Sequence, residues 1–156
     1  MTALIVAGVL STGLVAGVFF AFSSFVMNGL NDHLPADQGI AAMNAINKSA
    51  PTPVFMLALM GAGAICLALA IYGFVNLSDR SSLYLIAGAA LYLVAAIGLT
   101  GGYHVPLNDD LMALDPHAAG AAAQWRDYVH DWTLWNHVRA AGSLGATALF
   151  TAALLA

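Results

Sequence analysis

Four apolar stretches with almost no charge among them constrain this chain more than any other feature. Residues Ala3 to Met27, Thr52 to Val75, Ser81 to Tyr103 and Ala140 to Ala156 contain no Asp, Glu, Lys or Arg. An apolar helix needs about 20 residues to cross the hydrocarbon of a bilayer, and the fourth stretch reaches that length when extended back to His137 or Asn136. Composition agrees: 61% of residues are hydrophobic, 8% are charged and Glu is absent, whereas a soluble domain carries roughly 25% charged residues. The expected fold class is all-α, an integral membrane antiparallel four-helix bundle with a helical cap on one face. A single membrane domain, residues 1–156, is expected, with spans at about 3–27, 52–75, 81–103 and 136–156 and cap segments at about 28–51 and 104–135.

Lipid cannot hydrogen-bond backbone groups, so these segments must be helices or a closed barrel; none of them alternates with period two, and helices follow. Met1 to Thr12 has no basic region of the kind that opens a secretory signal, so the first stretch is read as a retained span. Cys66, the only cysteine, lies within the second stretch and is expected to be a small packed core residue, with no disulfide or cysteine metal cluster. A net charge of -4 argues against nucleic acid as a partner. Small residues at Gly13, Gly17, Gly61, Gly63, Gly142 and Gly145 allow close helix packing, first within the chain and secondarily in a homo-oligomer.

The connections are unequal. Asn76 to Arg80 is a tight turn, while the connections near Asn28 to Pro51 and His104 to Trp135 are long. In an antiparallel four-span bundle both long connections lie on one face and the termini share the other face with the Asp79 to Arg80 turn. Within the cap, Ile40, Met43, Ile46 and Asn47 recur at helical spacing over Gln38 to Lys48. Asp115 and Pro116 resemble an N-cap and a first-turn proline, so a helix is expected from His117 to the C-terminus, its first half above the membrane.

Counting about 20 residues inward from the bare end brings polar side chains from all four spans to one level, where the cap meets the bundle. Asn108, Asn136, His137 and Arg139 are the leading site candidates, with His104, Tyr103, Asn47, Trp132 and Trp135 as substrate-binding candidates. The alternative for Arg139 is a snorkelling side chain or one stacked on Trp135. Trp125, Tyr128, Trp132, Trp135 and Arg139 form a stripe at helical spacing, suited to packing or an interfacial belt and also to stacking on a flat aromatic ligand. His130 and His137 stand two turns apart, about 10 Å along the helix, too far to share one ion easily. No obligatory metal is therefore expected, with copper or iron on His104, His130 and His137, or a haem, as the alternative. Asp127, His130 and Asp131 read as a surface ion site or as solvated helix pairs. His33 and His117 read as loop residues.

The run His104 Val105 Pro106 Leu107 Asn108 Asp109 Asp110 Leu111, the series Trp125, Tyr128, Trp132, and the run Asn136 His137 Val138 Arg139 resemble the anthrone oxygenase-like family of four-span membrane proteins. Gly17 to Ser23 ahead of Val26 and Met27, and Ala42 to Asn47 ahead of Pro53 and Phe55, are similar to the family's N-terminal pattern. Where the family motif has Asn, this chain has His104. The resemblance implies a four-helix membrane fold and oxidoreductase activity, the oxidation of an anthrone to an anthraquinone by molecular oxygen. In that reaction His137 would remove the acidic methylene proton, and Arg139, Asn136 and Asn108 would stabilise the oxyanion. The expected partners are the lipid bilayer and a hydrophobic small molecule, anthrone- or quinol-like. The expected location is multi-pass in a bacterial inner membrane with both termini cytoplasmic. The competing class is a non-catalytic bundle that binds a lipid, quinone or haem, or an accessory subunit. Transport is a weaker reading, since inverted repeats are not visible.

Overall fold

The computed structural model describes residues 1–156 and contains helices and no strand. We number five helices: α1 Thr2–Asp32, α2 Ala36–Ser49, α3 Pro53–Val75, α4 Ser82–Ala113 and α5 Ala121–Leu155. All but α2 are long and apolar enough to cross a membrane, which makes this a multi-pass membrane protein of the all-α class. Of 129 backbone hydrogen bonds, 114 fall within helices, the internal satisfaction that hydrocarbon demands of a spanning segment.

Helix ends follow from local chemistry. Thr52 caps α3, its Oγ1 accepting from the Phe55 N–H at 3.2 Å, with Pro53 in the first turn where a missing N–H costs nothing. In α2, Asp37 sits in the first turn and Lys48 in the last, each complementing the helix dipole. The turn between α3 and α4 is closed by Ser82 Oγ donating to the Asn76 carbonyl at 2.5 Å.

Three boundaries differ from the sequence expectation. α1 continues past Met27 to Asp32, and α4 continues past Tyr103 to Ala113, so the long connections are largely helical extensions of the spans. α5 begins at Ala121 rather than His117. Asp115 Oδ1 accepts from the His117 N–H at 3.0 Å, which makes a local Asx turn instead of a helix cap. Gly120, at φ 91°, then supplies the left-handed residue from which α5 starts. α1 and α4 also carry π-helical turns that periodicity did not reveal, each ahead of its extension: Phe22–Val26 in α1, and Tyr92–Gly98 with Thr100–His104 in α4.

Side chains form two separate cores threaded on α5. The bundle core holds Phe19, Leu59, Cys66, Leu69, Leu85, Tyr92 and Phe150. The cap core holds Met27, Ile40, Met43, Leu111, Trp125, Tyr128 and Trp132. In the bundle, Leu10, Leu14, Leu57, Ile71, Leu83 and Val94 point outward and are exposed, as a face solvated by lipid should be.

Close helix approach is enforced unevenly by the glycines. A Cβ on Gly142 would collide with the Ala95 Cβ of α4, whereas one on Gly17 meets nothing within 4 Å. Gly142→Ala must push α5 from α4 and is expected to destabilise by about 1–3 kcal/mol, while Gly17→Ala leaves stability unchanged or slightly raised. Thermal unfolding of both variants in the same detergent checks the contrast; equal midpoints would refute it.

Candidate functional site

Between the two cores lies a thin layer of buried polar groups. Asn136, Arg139 and Ser143 recur at spacings of three and four, so they occupy one face of α5, and all three are buried. The Asn136 Nδ2 donates to the Phe19 carbonyl at 2.7 Å and to Ser23 Oγ at 2.8 Å, pinning α5 to α1 where α1 enters its π-helical turn. The Asn136 Oδ1 has no partner, and neither does the Ser143 Oγ one turn below Arg139. Buried polar atoms left unpaired cost about 1–3 kcal/mol each, so their accumulation on one helix face marks a place built for something other than packing.

Arg139 is the sharpest case. It is 6% exposed, its guanidinium carbon stands 3.8 Å above the Phe19 ring centroid and 6.0 Å from that of Trp132, and its Nε lacks a partner. The Phe19 face, with Trp132 at the limit of such a contact, partly offsets desolvation. It does not replace an anion.

The remaining candidates surround this layer without joining it. Asn108 lies in the cap, where its Oδ1 accepts from Tyr128 Oη at 2.8 Å and Trp132 Nε1 at 3.0 Å, tying the end of α4 to α5. His104 is buried, with Nδ1 3.2 Å from the Leu99 carbonyl and Nε2 3.3 Å from that of Trp132. Its ring meets Trp132 edge-on at 5.1 Å. A neutral imidazole has one N–H, so it can donate to only one of these carbonyls. Asn47 on α2 is partly buried and its Nδ2 lacks a partner. Tyr103 packs on Trp135 at 5.3 Å, and Trp135 is 38% exposed, so this pair forms an outward belt, while Trp132 belongs to the cap core.

The expected pocket of Asn108, Asn136, His137 and Arg139 is therefore divided. Asn136 and Arg139 share the layer, Asn108 is consumed by the cap, and His137 is exposed, because one residue along a helix rotates the side chain by about 100° away from Asn136. His130 is exposed as well. With His104 buried on α4, the three histidines do not converge, and no group of three or more His, Cys, Asp or Glu is arranged to hold a metal ion. Two contributors escaped the sequence reading: Phe19, whose ring carries the guanidinium, and Ser143. The spacing from Asn136 through Arg139 to Ser143 was the available signal for the serine; nothing in the sequence pairs Phe19 with Arg139.

Beside the layer a cavity of about 420 Å³ opens between α1, α2 and the start of α3, mostly apolar and lined in part by Val18, Phe22, Ile46 and Phe55. A smaller one of about 200 Å³ lies in the cap, bordered by Asp110, Asp127 and Asp131.

The family model described as Anthrone oxygenase matches residues 54–149 of this chain, more than half its length. The matched segment holds His104, Asn108, Asn136 and Arg139 and stops short of α1 and α2. None of the curated proteins and none of the solved structures matches the chain.

The arrangement around Asn108 predicts a structural role. Asn108→Leu strands the Tyr128 hydroxyl and the Trp132 indole N–H, and a loss of about 1–3 kcal/mol per stranded group is expected. Thermal unfolding followed by tryptophan fluorescence should show the loss; a wild-type midpoint would count against the tie.

Proposed function

This chain belongs to the anthrone oxygenase family, and on that premise we propose that it oxidises a hydrophobic aromatic substrate, an anthrone or a related quinol, at the level where cap and bundle meet. The observation that carries the reading is Arg139: a buried cation with no carboxylate beside it, stacked on Phe19, one turn along α5 from Asn136, whose Oδ1 is unpaired. Ionisable groups inside a membrane domain are expensive and by default functional.

An anthrone carries a ketone opposite a methylene flanked by two aryl rings. Loss of one methylene proton gives an enolate whose charge rests on the former ketone oxygen. Arg139 stabilises that oxygen, and its effect is large because the surroundings are of low dielectric. Molecular oxygen then adds to the carbanionic carbon and, on protonation, gives a hydroperoxide. Loss of the second hydrogen from that carbon with cleavage of the O–O bond yields the quinone and one water. Dioxygen is the oxidant and the methylene carbon is what is oxidised. With His137 turned outward, the first proton is proposed to leave to water at the cap boundary, and Asn136 to position the substrate. No redox cofactor is required by this scheme; a transition metal or haem remains the alternative. The setting proposed for it is a bacterial inner membrane with both termini in the cytoplasm.

The lack of a side-chain base facing the layer favours one competitor, a bundle that binds a quinone without turning it over. Purified protein mixed with anthrone, with quinone absorbance and oxygen uptake recorded together, separates the two. Equal consumption of oxygen and formation of quinone, lowered about 100-fold or more in Arg139→Ala but little affected in His137→Ala, is the expected result. Quinone binding with no oxygen uptake above the protein-free rate would replace the enzyme with the binder.

A further inference from the structure

We infer that the groove between α1, α2 and the start of α3 holds the apolar body of the substrate, whose polar end meets Arg139. This deepens the function proposed above and rests on it for the polar end of the ligand.

Phe22 connects the two places. It lines the groove, and its ring lies 5.5 Å from that of Trp132, which in turn faces the Arg139 guanidinium. Phe19, one turn before Phe22, carries the guanidinium directly. One aromatic wall thus separates the inner end of the groove from a buried cation and the unpaired Asn136 Oδ1. At about 420 Å³ the groove lies within the usual range of small-molecule sites, roughly 300–1,000 Å³. Its walls carry no charged side chain: Phe22, Ala45, Ile46 and Phe55 supply apolar and aromatic surface, with Ser49 and Thr52 on the same lining.

These two surroundings together select the occupant. The groove needs an apolar body and offers two phenyl rings for stacking. The layer needs an oxygen that accepts from a guanidinium. A fused-ring molecule with a ring carbonyl or phenolate oxygen meets both needs, and a lipid acyl chain meets only the first. Phe22 also opens the π-helical turn Phe22–Val26, a backbone irregularity of a kind frequent at functional sites, so its position sets how far groove and layer communicate. It is a positioning residue.

The test fills the groove from its outer side. Ala45 and Ser49 are exposed on α2, so Ala45→Phe/Ser49→Phe adds bulk without entering a core. Ala41→Phe, exposed one turn along the same helix and not part of the groove's lining, is the control, and Val18→Phe fills the groove from α1 should the double variant fold poorly. Binding of anthraquinone, read by quenching of tryptophan fluorescence, and the kinetics of anthrone oxidation are measured in nanodiscs. The expected result is a Kd for anthraquinone and a KM for anthrone both raised about tenfold or more, a loss of about 1.4 kcal/mol or more, with kcat nearly unchanged and Ala41→Phe like the wild type. Arg139→Ala should instead lose turnover while keeping groove binding. An unchanged Kd in both groove-filling variants overturns the inference even where turnover depends on Arg139. A raised Kd in a protein that turns nothing over keeps the groove and discards the reaction. Quenching by dibrominated phosphatidylcholine that anthraquinone fails to relieve would assign the groove to an acyl chain and overturn the inference.

Discussion

An amide in a low-dielectric layer must find partners, and the Asn136 side chain finds them on another helix. By donating to the Phe19 carbonyl and Ser23 Oγ, it fixes the height of α5 against α1. Everything at the junction of cap and bundle inherits that alignment. Lipid-facing helices slide easily past one another because tails and leucines are equally apolar, so a directional bond is what sets their register. With α1 and α5 aligned, Phe19 comes under Arg139 and Phe22 comes against Trp132. Neither contact could select the alignment alone, since aromatic faces are broad and tolerant.

The second consequence is electrostatic. Burying a cation costs several kcal/mol unless a partner compensates, and the eight Asp residues of this chain lie in the cap or in the short turns, none of them in the layer. Stacking on Phe19 holds the guanidinium in place without neutralising it. The layer is thus stable enough to form and still short of one negative or strongly accepting group. A substrate whose charge develops during reaction is suited to such a deficit, because the interaction strengthens as the enolate forms.

The span pattern was legible because hydrocarbon leaves one solution for a run of twenty apolar residues. The polar layer was half legible for a similar reason: depth along a helix can be counted, and counting brought Asn136 and Arg139 to one level. Direction around the helix was harder. Asn136 and His137 are adjacent in sequence and equal in depth, yet one is buried and the other exposed, and only the packing of α1 and α4 decides which face is inward. The π-helical turns compound this, since each shifts the phase of the residues beyond it without leaving a mark in composition. The tie that Asn108 makes was hidden for another reason: a polar residue near the boundary can serve a fold as well as a reaction, and its partners Tyr128 and Trp132 lie 20 and 24 residues away.

α5 runs unbroken for 35 residues through cap core, polar layer and bundle core. It acts as a single shaft on which three functions are keyed at fixed angles. A residue gained or lost between Trp125 and Ser143 would turn one end against the other by about 100°, presenting Trp132 to lipid or Arg139 to the outside. Between Leu114, which packs on the cap core, and Gly120, which starts the helix, the short turn is not keyed to the shaft's rotation. Relatives that keep this architecture must therefore absorb their length changes before the shaft begins, so that its internal spacing is the invariant of the fold.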